Sequence, residues 1–321
     1  MKKYWVLGSL SVFLILLAAY VGVGYVMHQK LSHIQGRCDN FLHIKPDNFG
    51  DETGFWKNKD FDPTQYRMKQ YESVKFPSRE EGIEIAGFFV SGQQDAPAVI
   101  VVHGLGSCKH KTTEMVPAGI LNKAGFNVLM IDVRDAGEST LEDGLSAIGN
   151  EEYLDALGAW DWLQKEKKIP AHKIGMMGNS MGAATTLIAF SQEPKLAAVF
   201  VDAPFDNLTQ ITSEELKREG YPQFLFYAGW AAGLLQGDNL LAFNPHEAID
   251  KAGKRPLFII HSTGDTRIGV HHSYQLREKA QKAGVNATFW IVEGIEHVQT
   301  AGAFPEEYEQ KIVGFFKKVL R

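Results

Sequence analysis

The chain has 321 residues, 45% of them hydrophobic and 22% charged, with a formal net charge of −5. That composition excludes a disordered, collagenous or disulfide-scaffold protein. The absence of a basic stripe argues against a nucleic-acid partner. Two cysteines, Cys38 and Cys108, cannot form a C-x-x-C metal or redox motif.

The hydrophobicity is unevenly spread. From Tyr4 to Met27 there is no charged residue. As a helix at ~1.5 Å per residue this run exceeds the ~30 Å hydrocarbon core of a bilayer. It is too long for the apolar core of a cleaved signal peptide, and no clear cleavage site follows it. We therefore expect an uncleaved anchor over residues 1–30, spanning about residues 4–27. Lys2 and Lys3 before it favour a cytoplasmic N-terminus, placing the rest of the chain outside the cytoplasm. Tyr4, Trp5, Tyr20 and Tyr25 are candidate interfacial anchors. The remaining 291 residues carry 30 basic and 38 acidic side chains, an acidic body.

Residues 31–70 are polar, aromatic and irregular and read as a tether packed on the domain that follows. From there strand and helix patterns alternate. Residues 71–76 and 83–90 alternate as hairpin strands do. Residues 96–104 (APAVIVVHG), 127–132, 173–178, 196–203, 256–262 and 287–294 are short apolar runs, the pattern of strands buried on both faces. Helical stretches are expected over 112–124, 150–167, 181–192, 270–283 and 305–320. Strands alternating with helices predict an α/β protein with a mostly parallel, doubly wound sheet over residues 71–321. One connection, about 204–255, is too long for a plain loop and reads as a small helical lid over the C-terminal edge of the sheet.

The chemistry concentrates at the ends of these strands. Gly178-Asn179-Ser180-Met181-Gly182 lies between a strand and a helix. In that setting G-x-S-x-G is a nucleophile elbow, whose glycines make room for a strained Ser. His103-Gly104-Leu105-Gly106 closes another strand, and its backbone can face the Ser. The expected oxyanion hole is the N–H of Met181 with that of Leu105. Asp265 and His297 follow the last two strands. Ser180, Asp265 and His297 thus stand in the order expected of a triad, with His297 the base and Asp265 its orienting acid. Asp202, after another strand, is the rival acid. The tandem His271-His272 and the H-E-A-I-D of residues 246–250 lack a metal-ligand pattern, so neither metal nor cofactor is expected.

Three further segments carry a resemblance. Asp132-Val-Arg134-Asp-Ala-Gly137-Glu-Ser139 resembles a D-x-R-x-x-G-x-S turn. Gly149-Asn-Glu151-Glu-Tyr-Leu-Asp155 with Ala159-Trp160-Asp161-Trp162-Leu163 resembles the helix that follows it, and Asp202-Ala-Pro204-Phe205 a D-S-P-F segment. With the triad, residues 70–320 resemble the α/β-hydrolase superfamily, and within it bacterial serine hydrolases of the serine aminopeptidase-like and prolyl-oligopeptidase-like group. The resemblance implies an α/β-hydrolase fold and mostly structural roles for the three segments. Ser262 departs from the H-G usual before the acid, and Ile268-Gly269-Val270 from a usual V-P.

The expected function is a membrane-tethered serine hydrolase working through an acyl-enzyme. A small or medium acyl ester is the first choice of substrate, a peptide or thioester the second. A catalytically silent, membrane-anchored binding protein is the alternative from another class, against which the intact Ser, His and acid stand.

Overall fold

The computed structural model describes residues 2–321, with side chains from residue 8 onward; the expected interfacial roles of Tyr4 and Trp5 lie outside the described side chains. Helix α1 (Lys2–Ser32) is long and apolar enough over Gly8–Ser32 to cross a membrane.

Eight strands follow: β1 (Glu72–Pro77), β2 (Glu84–Val90), β3 (Ala98–Val102), β4 (Asn127–Ile131), β5 (Ile174–Asn179), β6 (Ala198–Asp202), β7 (Leu257–Ser262) and β8 (Ala287–Val292). They form one sheet in the order β1-β2-β4-β3-β5-β6-β7-β8. Pairing is antiparallel for β1–β2 and β2–β4 and parallel from β4 onward. This is the α/β-hydrolase fold expected from the sequence. The continuous apolar runs are explained by burial: every residue of β3, β5, β6 and β7 is buried.

Four crossovers are helical, α2 (Thr112–Lys123), α3 (Glu152–Lys165), α4 (Met181–Gln192) and α8 (His271–Ala283), and after β8 the single-turn α9 (Thr300–Ala303) leads to α10 (Pro305–Val319). Each of the five longer helices lies within about two residues of its expected span. Two cores result. One holds Trp160, Leu187, Phe190 and Leu276 from α3, α4 and α8. The other holds Met115 and Phe316 from α2 and α10, together with Ile44, Phe49, Trp56 and Tyr66 from the aromatic segment after α1. That segment is therefore part of the core on one face of the sheet.

The connection between β6 and β7 holds α5 (Leu208–Arg218), α6 (Leu225–Gln236) and α7 (Glu247–Lys251). The chain divides into two compact units. One unites residues up to His33 with Leu208–Ala242; the other unites Ile34–Asn207 with Phe243–Arg321 and contains the whole sheet. Most of the 204–255 insertion thus groups with α1.

Motifs that carried the resemblance do structural work in the sheet-bearing unit. Arg134 is buried and paired with Asp155 at 2.9 Å, Glu80 at 2.5 Å and Glu142 at 3.1 Å. Asp132 accepts from the Lys109 and Glu138 backbone N–H groups and holds the Lys109 ammonium. The Ser139 hydroxyl donates to the Asp132 carbonyl at 2.7 Å.

Candidate active site

The candidate residues all leave the carboxyl ends of strands, where open α/β sheets present their crevice. Ser180 stands between β5 and α4 with φ 54° and ψ −122°, a conformation that L residues rarely adopt. Such strain persists only where the surroundings enforce it. Here they do: the Ser180 N–H donates to the Asp202 carbonyl at 2.9 Å, and its own carbonyl accepts from Ala183 at 3.0 Å and Ala184 at 3.2 Å. Two glycines are obligatory. A Cβ on Gly178 would run into the Gly182 carbonyl, and one on Gly182 into the backbone of Val102 and His103. The elbow and the loop after β3 therefore pack backbone to backbone.

That loop comes close to Ser180. A Cβ on Gly104 would lie 3.3 Å from Ser180 Cβ and 2.9 Å from Asn179 Oδ1. His103 shapes the loop and takes no part in the triad. Its Nε2 accepts from the Val133 N–H at 3.1 Å, so its Nδ1 donates to the Gly104 carbonyl at 2.9 Å. Leu105, Ser180 and His297 line one cavity of about 340 Å³. Met181 opens α4 and is buried directly behind the Ser.

Asp265 and His297 meet. Asp265 Oδ2 accepts from His297 Nδ1 at 2.6 Å, while Oδ1 accepts from the backbone N–H groups of Arg267 at 2.9 Å and Ile268 at 2.8 Å. Burial alone would push this carboxyl up. The hydrogen bonds of His261 and His297 overcome that and hold it well below the usual carboxylate range. The Asp265 side chain is buried and that of His297 is one-fifth exposed, so the imidazole opens toward the cavity from a fixed support. Asp202 differs. It is buried, and desolvation followed by the Asp265 charge pushes its carboxyl up to about 8, leaving it neutral at pH 7. The hydrogen bond of His297 Nδ1 goes to Asp265, the preferred acid of the two.

Three contributors escaped the sequence reading. Ser262, noted only as a departure, donates from its hydroxyl to the Ile295 carbonyl at 2.6 Å and accepts from the N–H groups of Gly264 and Ile295 at 3.1 Å each. The departure was itself the signal. Glu114, on the first turn of α2, is buried and bridges Ser107 in the loop after β3 to the Asn179 amide of the elbow. Burial pushes its carboxyl up. The aromatic segment read as a tether lines the cavity with Phe41, Glu52, Thr53 and Phe55. It is fastened beside His297: Gln299 donates to the Phe55 carbonyl at 2.9 Å and accepts from the Lys57 N–H at 3.0 Å. A Cys38–Cys108 disulfide, Cα–Cα 6.3 Å, ties it to the stretch after the Leu105 loop.

Among the described residues of the sheet-bearing unit, His110, Asp132 and Glu138 bring atoms that could ligate a metal within 4.8 Å of one another. The Lys109 ammonium already occupies that place, at 2.5 Å from Asp132, 2.7 Å from Glu138 and 3.1 Å from His110.

The fold and this site define a protein of the serine hydrolase class with α/β-hydrolase architecture. Residues 115–321 match the prolyl oligopeptidase family, and the chain belongs to it. Among curated relatives, acylamino-acid-releasing enzyme 1 of Oryza sativa subsp. japonica is 26% identical over 216 residues, covering 61% of this chain and 27% of the relative. Thiohydrolase aneE of Aspergillus aculeatus is 25% identical over 141 residues, 44% of each chain. The chain thus spans less than half the length of these relatives. An esterase structure from Pyrococcus furiosus superposes with a TM-score of 0.65 at 25% identity, covering 81% of this chain and 96% of that one.

Proposed function

We propose that the chain is a membrane-anchored serine carboxylesterase acting on small or medium acyl esters. One observation carries the reading: His297, fixed through Nδ1 by Asp265, and Ser180, held at a strained elbow, open on the same cavity. In this scheme Ser180 Oγ attacks the ester carbonyl carbon and its proton passes to His297 Nε2. The N–H groups of Met181 and Leu105 receive the negative charge on the carbonyl oxygen. Collapse expels the alcohol, which takes the proton from His297. Water, deprotonated by the same imidazole, then attacks the acyl-enzyme and releases the acid and Ser180.

Phe41, Phe55, Leu105 and Val298 give the cavity apolar walls, which suits an acyl chain. The similarity to an esterase supports the same choice. A peptide or thioester is the second reading, favoured by the names of the rice acylamino-acid-releasing enzyme and the Aspergillus thiohydrolase. In this reading α1 anchors the chain. The sheet-bearing unit lies outside the cytoplasm, as the Cys38–Cys108 disulfide suits an oxidising compartment.

The test is labelling with a fluorophosphonate probe, followed by rates on p-nitrophenyl butyrate, a butyryl thioester and aminoacyl-p-nitroanilides. Wild-type protein is expected to take one label and to prefer the oxygen ester. Ser180→Ala should take none and lose at least about 10³-fold in rate. Label on Ser180→Ala, or no label on wild type, sinks the hydrolase reading. Preference for the anilide or thioester sinks the esterase reading alone.

A further inference from the structure

Helix α6 (LFYAGWAAGLLQ) carries no charge, yet it is only twelve residues long. At ~1.5 Å per residue it reaches about 18 Å, too short to cross a bilayer. Its two sides differ in size. The small side faces α1: Ala228 and Ala232 are buried, and a Cβ on Gly24 of α1 would collide with the Ala228 carbonyl. A Cβ on Gly233 would stand 3.2 Å from the His28 ring. Small residues at such a contact allow close helix approach, the way helices associate inside membranes. The large side points away. Phe224 is 62% exposed, Tyr227 58% and Leu235 78%. Along the same stretch of α1, Tyr25 and Val26 are exposed as well.

The depth of α6 along α1 follows from its contacts. Tyr20 donates to the Phe224 carbonyl at 2.9 Å, Gln29 to Gln236 at 3.1 Å, and His28 meets Asp238 at 2.8 Å. The two helices therefore run parallel, with Phe224 level with the middle of α1 and Gln236 level with its end. Polar partners gather at that end, including Lys30 with Tyr221 at 2.9 Å. A short apolar helix with an aromatic start and a polar finish matches the graded polarity of a bilayer interface.

We propose that α6 is a second membrane-embedded element, seated in the leaflet through which the end of α1 emerges, with Phe224 and Tyr227 among the acyl chains and Leu235 nearer the headgroups. This rests on the reading that α1 spans the membrane. The occupant of the exposed face is lipid, because α6 lies along residues 20–29 of α1, most of which fall within the apolar run read as spanning the bilayer.

The experiment uses full-length protein with one added cysteine carrying an NBD fluorophore. Leu14→Cys reports on α1, Phe224→Cys and Leu235→Cys on α6, and Glu72→Cys on the exposed end of β1. Each variant is reconstituted in phosphatidylcholine/phosphatidylglycerol vesicles with and without brominated acyl chains. Blue-shifted emission and at least about two-fold quenching at 14, 224 and 235, with neither at 72, are expected. Quenching at 14 while 224 and 235 behave like 72 overturns the proposal and leaves the anchor standing. No quenching at 14 overturns the anchor and the proposal with it. A blue shift at 224 and 235 without bromine quenching means that protein, such as a second copy, covers the face, and this too overturns it.

Discussion

The Ser262 hydroxyl, 2.6 Å from the Ile295 carbonyl, ties the loop that carries Asp265 to the loop that carries His297. The same oxygen accepts from Gly264 and Ile295, so one buried side chain fixes both loops at once. In Ser262→Ala three half-buried backbone groups, of Gly264 and Ile295, lose this partner, a cost of about 1–3 kcal/mol. Thermal unfolding should fall by several degrees. Loosening between acid and base should also lower kcat about 10-fold with KM changed less than about two-fold. A lower unfolding temperature at unchanged kcat would reduce Ser262 to a structural residue.

In the proposed mechanism Asp265 acts by fixing the His297 tautomer through the bond to Nδ1. Asp265→Asn keeps the shape but presents an amide to Nδ1, which favours the wrong tautomer. The expected loss in kcat is about 10⁴-fold, with some loss of stability at pH 7 because the carboxylate held by His261 and His297 is gone. Circular dichroism and a kcat measurement on one preparation separate this from misfolding. An Asp202→Asn variant that lost as much would make Asp202 the operative acid instead.

Asp202 makes stability depend on pH. Its carboxyl titrates near 8 in the native protein, against an ordinary value of 3.8. Between those values the unfolded chain has released the proton and the native chain retains it. The contribution is therefore whole below about pH 4 and is lost as pH rises toward 8, at up to about 1.4 kcal/mol per pH unit. Asp202→Asn removes the titration. The variant should gain on wild type in urea midpoint from pH 5 to pH 8, and parallel pH curves would refute the assignment. Asp265 acts in the opposite sense and a different window, losing its contribution as pH falls below about 4.

The disulfide closes a loop across 70 residues of sequence. Cys38→Ser with Cys108→Ser should lower stability by about 4 kcal/mol on the chain-entropy account. Because the loop includes Phe41 and Phe55 of the cavity wall, KM for p-nitrophenyl butyrate should rise as well. Guanidinium unfolding and ester kinetics with and without reductant check both. Equal midpoints for wild type and double variant would show that the bond adds nothing.

Much of the architecture was legible because each strand announces itself locally. The residues of β3 are apolar throughout, those of β5 and β7 apolar or glycine until the strand's last one or two positions, and Ser180, Asp265 and His297 follow their strands at short range. What sequence could not show were interactions joining distant segments. Nothing near Ser262 in the chain announces Ile295, and nothing near Glu114 announces Asn179. Phe41 and Phe55 looked like tether residues because irregular backbone has no periodicity to reveal which side chains turn inward. Their destination depends on Trp56 entering the core beneath α2, where its indole N–H donates to Thr112. The grouping of α6 with α1 was hidden for the same reason: the contact spans about two hundred residues.

The wall made by Phe41 and Phe55 separates what the protein can do from what it can choose. All the atoms proposed to break the ester lie beyond residue 100, whereas one side of the cavity comes from the stretch joining the hydrophobic helix to the sheet. Replacing Phe41 and Phe55 by alanine would leave the nucleophile in place and widen the wall toward bulkier esters, whereas trimming at residue 70 would also take Ile44, Phe49 and Trp56 out of the core. Preference can thus drift by changes in a few dozen loosely patterned residues while the elbow, the acid and the base stay untouched.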